Sequence, residues 1–458
     1  MNTSSQELSV IILSAGQGKR MFSATPKVLH KLAGKPILQH VIDTVLNLPT
    51  KKIYIVYGYE GQLLRKKIIS NHSSLNWILQ SNQNGTGHAI QKVMEKYEGA
   101  NNDQILILYG DIPLISIKTL SRLLYFHTGF NISLLTAKID SPYGYGRILR
   151  KDGLIVKIIE QDDVSENHKK IREINTGIMV VNKKKLNTWI HQINNNNAKK
   201  EFYLTDIVSI AHHSGHVINS MQSKNTFEIF GINNRLQLMH LERFYQKKQA
   251  KKLLLNGLSL ADHRRFDLRG TLKHGKDIFI DVNVILEGNI IIGDRVKICN
   301  GCKLKNVTIN NDVIIYPYSI IENTHLDSNS IIGPFAHIHS NSRISKNVNI
   351  GNFVEVKNTI FGKNSKAGHL SYLGDANIGK KVNIGAGAIT CNFDGKNKNK
   401  TIINNDAFIG ANSELIAPII IGSGATVGAG TTVTKNINNG EKIISRIRQF
   451  SILKKNNS

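Results

Sequence analysis

Leu8-Ser-Val-Ile-Ile-Leu13 runs straight into Ser14-Ala-Gly-Gln-Gly-Lys-Arg20, and Pro26-Lys27 follows shortly after. The apolar, β-branched run predicts a buried strand. It opens into a loop whose Gly16 and Gly18 let backbone N–H groups approach an anion closely. Arg20 and Lys27 set fixed positive charge beside that loop, and the anion it would take most simply is a phosphate. The spacing lacks the third glycine of a dinucleotide fingerprint and the Gly-Lys-Ser/Thr ending of a P-loop. A Gly-x-Gly after a strand is also ordinary βα-turn chemistry, so the rest of the chain has to decide.

Outward from this stretch, apolar runs at 52–57, 104–108, 132–136 and 177–181 predict further strands, with helical stretches at 38–48 and 119–127. Alternation of strand and helix to about residue 234 predicts a mostly parallel, Rossmann-like α/β sheet, whose ligands gather at the carboxyl ends of its strands. Gln104-Ile-Leu-Ile-Leu-Tyr-Gly-Asp111 places a carboxylate at one such end. A hard oxygen donor there suits a Mg²⁺ that bridges phosphates, although Asp111 before Pro113 also reads as a turn. Gln80-Ser-Asn-Gln83-Asn-Gly85-Thr86-Gly87-His88 offers amides able to read a flat base edge. Glu160 and Asn175 are the acceptor and amide types that recognise sugar hydroxyls.

With 458 residues and 41% apolar content, the chain predicts two or more globular domains. No apolar run reaches membrane-spanning length and the first residues are polar, so a soluble, cytoplasmic protein is expected. Three cysteines fit a reducing compartment. Cys299 and Cys302 form a lone Cys-x-x-Cys, read as small apolar fillers rather than a zinc or redox pair. A net charge of +26 would ordinarily point to nucleic acid. Here the basic residues are scattered and accompany abundant Asn and Ile, a pattern of compositional drift, so no nucleic-acid partner is expected.

Residues 236–256 predict one helix linking residues 1–235 to 257–458. Beyond Asp267 the apolar period becomes six. Ile280, Leu286, Ile292, Ile298 and Leu304 keep it, as do Ile332, Ile338, Ile344, Ile350 and Val356, and again Ile409, Leu415, Ile421, Val427 and Val433. A hexad repeat marks a parallel β-helix with the aliphatic residue inside. The repeat is interrupted at 363–373 and 390–400, which predicts two insertions forming a binding face. His369 lies in the first.

The loop signature Leu-Ser-Ala-Gly-x-Gly-x-Arg-Met with Pro-Lys resembles that of the sugar nucleotidyltransferases. Together with Gly-Thr-Gly-His88, Leu-Tyr-Gly-Asp111, Gly-Tyr-Gly-Arg147, Ile-Asn-Thr-Gly177, Asn-Asn-Arg235, Lys-Ala-Gly-His369 and Tyr-Leu-Gly-Asp375, nearly the whole chain resembles one family. That family is the bacterial bifunctional N-acetylglucosamine-1-phosphate uridyltransferases/glucosamine-1-phosphate acetyltransferases, whose second half is a left-handed β-helix. The resemblance implies acetylation of glucosamine 1-phosphate by acetyl-CoA, then transfer of UMP from UTP. The product would be UDP-N-acetylglucosamine, a precursor of peptidoglycan and lipopolysaccharide.

Carried over by position, Arg20 and Lys27 would neutralise the departing pyrophosphate, and Leu13, Ser14, Ala15, Gly16, Lys27, Gln80, Gly85 and Thr86 would hold the nucleotide. Tyr109, Gly110, Asp111, Gly146, Glu160 and Asn175 would line the sugar-phosphate side, with Asn233 joining Asp111 on Mg²⁺. In the solenoid, His369 would be the general base, and His339, Lys357, Tyr372, Asn383 and Lys398 would bind the acceptor. Ala386, Asn392, Phe393, Ala411, Ala429 and Arg446 would lie along acetyl-CoA, with sites completed between subunits of a homotrimer.

Four features depart from the family pattern. His337-Ile-His339 stands where the family has Arg-x-Arg, Ala411 where it has serine, Phe393 where it has tyrosine, and Asp162 where it has lysine. They keep a rival reading open, a uridyltransferase whose solenoid serves as a trimerisation scaffold.

Overall fold

The computed structural model describes residues 7–58, 61–68, 75–445 and 449–452. The chain divides into two compact units, Met1–Phe244 and Tyr245–Ser458.

The first unit is built on a mixed sheet. Its strands are β1 (Leu8–Leu13), β2 (Thr50–Tyr57), β3 (Leu75–Leu79), β4 (Gln104–Tyr109), β5 (Ile132–Lys138), β6 (Arg147–Lys151), β7 (Leu154–Ile159), β8 (Glu173–Asn182) and β9 (Asn219–Gln222). The order is β9-β5-β8-β4-β1-β2-β3, with the β6–β7 hairpin attached to β8. Strand β8 runs antiparallel to both its neighbours, β4 and β5. Along β1 the side chains alternate between two layers. Val10 and Ile12 pack on one face, Ile11 and Leu13 on the other, so every residue of the strand is buried. Leu13 pairs in register with both Val56 and Tyr109. The carboxyl ends of β1, β2 and β4 are therefore level, and the loops leaving them face one another.

Helices cover both faces: α1 (Ile37–Val45), α2 (Gly61–Lys67), α3 (Thr86–Met94), α4 (Ile117–Phe126), α5 (Lys183–Ile190) and α6 (Asp206–His213). Ser116 caps α4 by accepting from the Thr119 N–H at 3.2 Å, and Asn182 caps α5 through Lys185. Helix α7 (Arg235–Leu255) has neither Gly nor Pro inside it.

The second unit stacks short parallel strands into long ladders, consistent with a left-handed parallel β-helix. Every residue of the three hexad series named above is essentially inaccessible. Successive coils are spaced by 17 or 18 residues, three hexads each, and corners recur in the left-handed region. Asn is well suited there because it tolerates positive φ and can bond to its copy in the next coil. Asn329 and Asn347 do both, donating to Asn347 and Asn364 at 3.1 and 2.9 Å, and Asn364 shares the positive φ. Cys302 lies in this core, where burial pushes its thiol up to about 12.

One expected insertion is absent. Phe361, Ala367 and Leu373 continue the six-residue spacing and are all buried, so 363–373 is an ordinary coil. The break in the pattern is only a methyl, Ala367, at an inward position. The second insertion is present. Ala376 and Ile378 pair with Thr401 and Ile403, 25 residues on, whereas Asn383 pairs 17 residues back with Lys366. The extra chain, closed by a bridge between Phe393 and Lys398, projects from the coil.

Candidate active sites

A cavity of about 680 Å³ lies at the level carboxyl ends of β1, β2 and β4. Leu13, Ser14, Ala15, Gly16, Arg20, Lys27, Gln80, Gly85, Thr86, Tyr109, Asp111 and Asn233 all line it, so distant segments that share only their predicted chemistry converge on one wall. Gly18 has φ +64°, and a Cβ there would lie 2.6 Å from Lys27 Cβ, so glycine lets the loop fold back onto Lys27. Gly16 is different. It has no positive φ, and a Cβ built on it meets nothing within 4 Å. The fold does not require glycine at 16, which leaves its bare backbone to face the cleft. Ser14 Oγ is buried beside Gly110 with no hydrogen-bond partner among the described residues.

Lys27 Nζ forms an ion pair with Asp111 and lies 3.2 Å from Asn233 Oδ1. A carboxylate and an amide oxygen thus converge on one cation. Such hard oxygen donors fit Mg²⁺, and the ammonium marks the point on which they are aimed.

Gly146, Glu160 and Asn175 do not line this cavity but form an adjoining cluster. Gly146 C=O accepts from the Asn175 N–H at 2.8 Å, and the Glu160 carboxylate approaches the place a Gly146 Cβ would take. Burial pushes the Glu160 carboxyl above its usual range, partly offset by the Thr205 hydroxyl donating to it at 2.8 Å. Tyr109 joins the two groups: burial raises its phenol, and it bonds Thr86 while feeling the Glu160 charge. Lys199 and Glu201 also line the cavity, and neither was singled out in the sequence. Lys199 Nζ is 2.5 Å from Asp162, the residue standing where the family has lysine. A lysine from 37 residues further on therefore sets its ammonium beside the residue that replaces the family's lysine.

In the second unit, His369 ends one short strand and Tyr372 begins the next, on either side of a left-handed corner at Leu370. His369 is exposed, and its Nδ1 is 2.7 Å from Asn352 Oδ1. An amide oxygen can only accept, so Nδ1 carries the proton and Nε2 keeps its lone pair free. Asn352 was missed in the sequence, yet it pairs in register with His369, 17 residues on, and the coil spacing alone would have found it.

Tyr372, Asn392 and Asp375 form a chain, with the Asn392 amide 3.4 Å from the Tyr372 hydroxyl and 2.5 Å from Asp375. Lys357 pairs with His339 in the preceding coil. Lys398 lines a separate cavity of about 340 Å³ with Asn358, Asp375 and Asn377. Asn383 pairs with Phe408. Ala386 C=O accepts from Asn412 and Ala411 C=O from Gly430, so Ala386, Ala411 and Ala429 occupy corresponding corners of successive coils. Phe393 is exposed on the insertion. Arg446 lies outside the described residues.

Residues 10–140 match the MobA-like NTP transferase domain, and residues 400–435 match the hexapeptide repeat of succinyl-transferase. A solved UDP-glucose pyrophosphorylase complexed with UDP-glucose aligns over 53% of this chain and 100% of its own, at 14% identity and a TM-score of 0.44. "Bifunctional protein GlmU" of Baumannia cicadellinicola subsp. Homalodisca coagulata is 53% identical, covering 98% of this chain and 96% of its own. Its counterpart of the same name in Wigglesworthia glossinidia brevipalpis is 73% identical and covers 100% of both chains. With both halves matched end to end, the chain belongs to the family of the bifunctional GlmU proteins.

Proposed function

We propose that this chain acetylates glucosamine 1-phosphate in its solenoid and then joins the product to UTP in its first unit. The observation that carries the reading is the convergence of the Gly16 loop, Lys27, Asp111 and Asn233 on one cleft, in a chain that also displays His369 with a free imidazole lone pair.

In the acetyl transfer, His369 Nε2 takes a proton from the amine of glucosamine 1-phosphate. The nitrogen attacks the thioester carbonyl of acetyl-CoA, a C–N bond forms, the C–S bond breaks, and the proton passes to the CoA thiolate. Asn352 holds the tautomer this needs, and His339, Lys357, Tyr372, Asn383 and Lys398 bind the acceptor. Ala386, Asn392, Phe393, Ala411 and Ala429 run along acetyl-CoA.

In the uridyl transfer, a phosphate oxygen of N-acetylglucosamine 1-phosphate attacks the α-phosphorus of UTP, and pyrophosphate leaves. The Gly16 loop, Gln80, Gly85 and Thr86 hold the nucleotide, Arg20 and Lys27 balance the charge on the leaving group, and Gly146, Glu160 and Asn175 orient the sugar. Asp111 and Asn233 would hold Mg²⁺, which when bound supplies further positive charge to the phosphates.

Each chain works as part of a cytoplasmic homotrimer. An exposed column of stacked rings, Tyr318–Phe335–Phe353 at 5.3 Å spacings, supports a face buried against other copies. Among the described residues no helix is long and apolar enough to cross a membrane. The test is a coupled assay of the full chain with glucosamine 1-phosphate, acetyl-CoA, UTP and Mg²⁺. UDP-N-acetylglucosamine should form, and should fail to form when acetyl-CoA is left out.

A further inference from the structure

We propose that His337, His339 and Glu355 form a binding site for one divalent transition-metal ion of the zinc class. His337 and His339 are two residues apart on one strand, with Ile338 between them buried in the core, so both rings leave the outer face together. The rings lie parallel, 4.3 Å between centroids and 15° between planes. Glu355 pairs in register with His337 from the next coil and brings a carboxylate to the same face. One donor atom from each of the three lies within 4.8 Å of the others, and all three residues are half-buried.

His339 Nε2 and Glu355 Oε1 are 3.0 Å apart. Two ligand atoms bound to one tetrahedral zinc stand about 3.3 Å apart, given bonds of about 2.0–2.1 Å. The other nitrogen of His339, Nδ1, is 3.1 Å from Ser340 Oγ, the kind of outer contact that fixes ring and tautomer in metal sites. Two imidazoles and one carboxylate suit zinc, cobalt or nickel, whereas Mg²⁺ prefers an all-oxygen set. Three protein ligands leave the fourth position open. Glu322 adds negative charge around His337, and Lys357, in register with His339, opposes it.

A cation here would return positive charge to the place where the family has Arg-x-Arg. That consequence rests on the acetyltransferase reading, whereas metal binding does not.

The experiment titrates metal-free full-length protein with ZnSO4 in excess Mg²⁺, which fills hard-oxygen sites, and follows CoCl2 by its visible absorption. The wild type should bind one equivalent per chain and give the intense visible spectrum of low-coordinate cobalt. His337→Asn and Glu355→Gln should each weaken zinc by about tenfold or more, and His337→Asn/His339→Asn should abolish the site, with circular dichroism confirming the fold. A wild type that takes up no zinc, or variants that bind it equally well, would overturn the site. If zinc binds as expected but leaves the KM for glucosamine 1-phosphate unchanged, the site stands and the charge-replacing role falls.

Discussion

The Lys27 ammonium is ion-paired with Asp111 across 84 residues of sequence, and the same nitrogen lies 3.2 Å from Asn233 Oδ1. Both oxygens are thus aimed at one cationic point beneath the Gly16 loop. Asp111→Asn removes the carboxylate charge while keeping the shape. Uridyl transfer should fall about a hundredfold or more, while acetyl transfer continues at its normal rate. Separate assays of pyrophosphate and CoA release check this.

Gly16 offers a sharper test of ligand contact, because nothing among the described residues occupies the space of its absent side chain. Gly16→Ala should leave thermal stability unchanged or raise it by up to about 1 kcal/mol. The KM for UTP should rise about tenfold as the methyl meets the triphosphate. Unchanged KM would place the phosphates elsewhere.

Asp162, which stands where the family has lysine, is ion-paired with Lys199. Lys199→Ala should raise the KM for UTP or the sugar phosphate several-fold. Asp162→Lys/Lys199→Ala should restore most of the loss, since it returns a cation to the same spot. No recovery in the double variant would show that Lys199 acts only on the surface.

His127 gives a pH prediction for stability. It is buried against Ser133, and burial lowers its pKa from 6.5 to about 4. The folded state therefore favours the neutral ring. The resulting stability, about 3 kcal/mol, is fully present above pH 6.5 and is lost as pH falls through about 4. Denaturant melts of the wild type should weaken across that window, and His127→Gln should flatten the acid limb.

The fold was legible where burial forces a period. Strand β1 is buried on both faces and so reads as an uninterrupted apolar run, and the hexads read because each inward position admits one aliphatic side chain. At Ala367 the same rule misled, since a methyl fills an inward position without marking it. The loops leaving β1 and β4 carried their own chemistry and could be placed from sequence. Lys199, Thr205 and Asn352 could not be picked out locally, because each is marked only by its contact with a residue distant in the chain: Asp162, Glu160 and His369.

Whether the solenoid is an enzyme as well as a scaffold is decided most directly at His369. Release of CoA from acetyl-CoA in the presence of glucosamine 1-phosphate should be measured for the wild type, His369→Ala and Asn352→Ala. Acetyl transfer should proceed in the wild type, fall about 10²–10⁴-fold in His369→Ala and fall less in Asn352→Ala, with uridyl transfer intact in all three. A wild-type chain that makes UDP-N-acetylglucosamine from N-acetylglucosamine 1-phosphate but releases no CoA would contradict it.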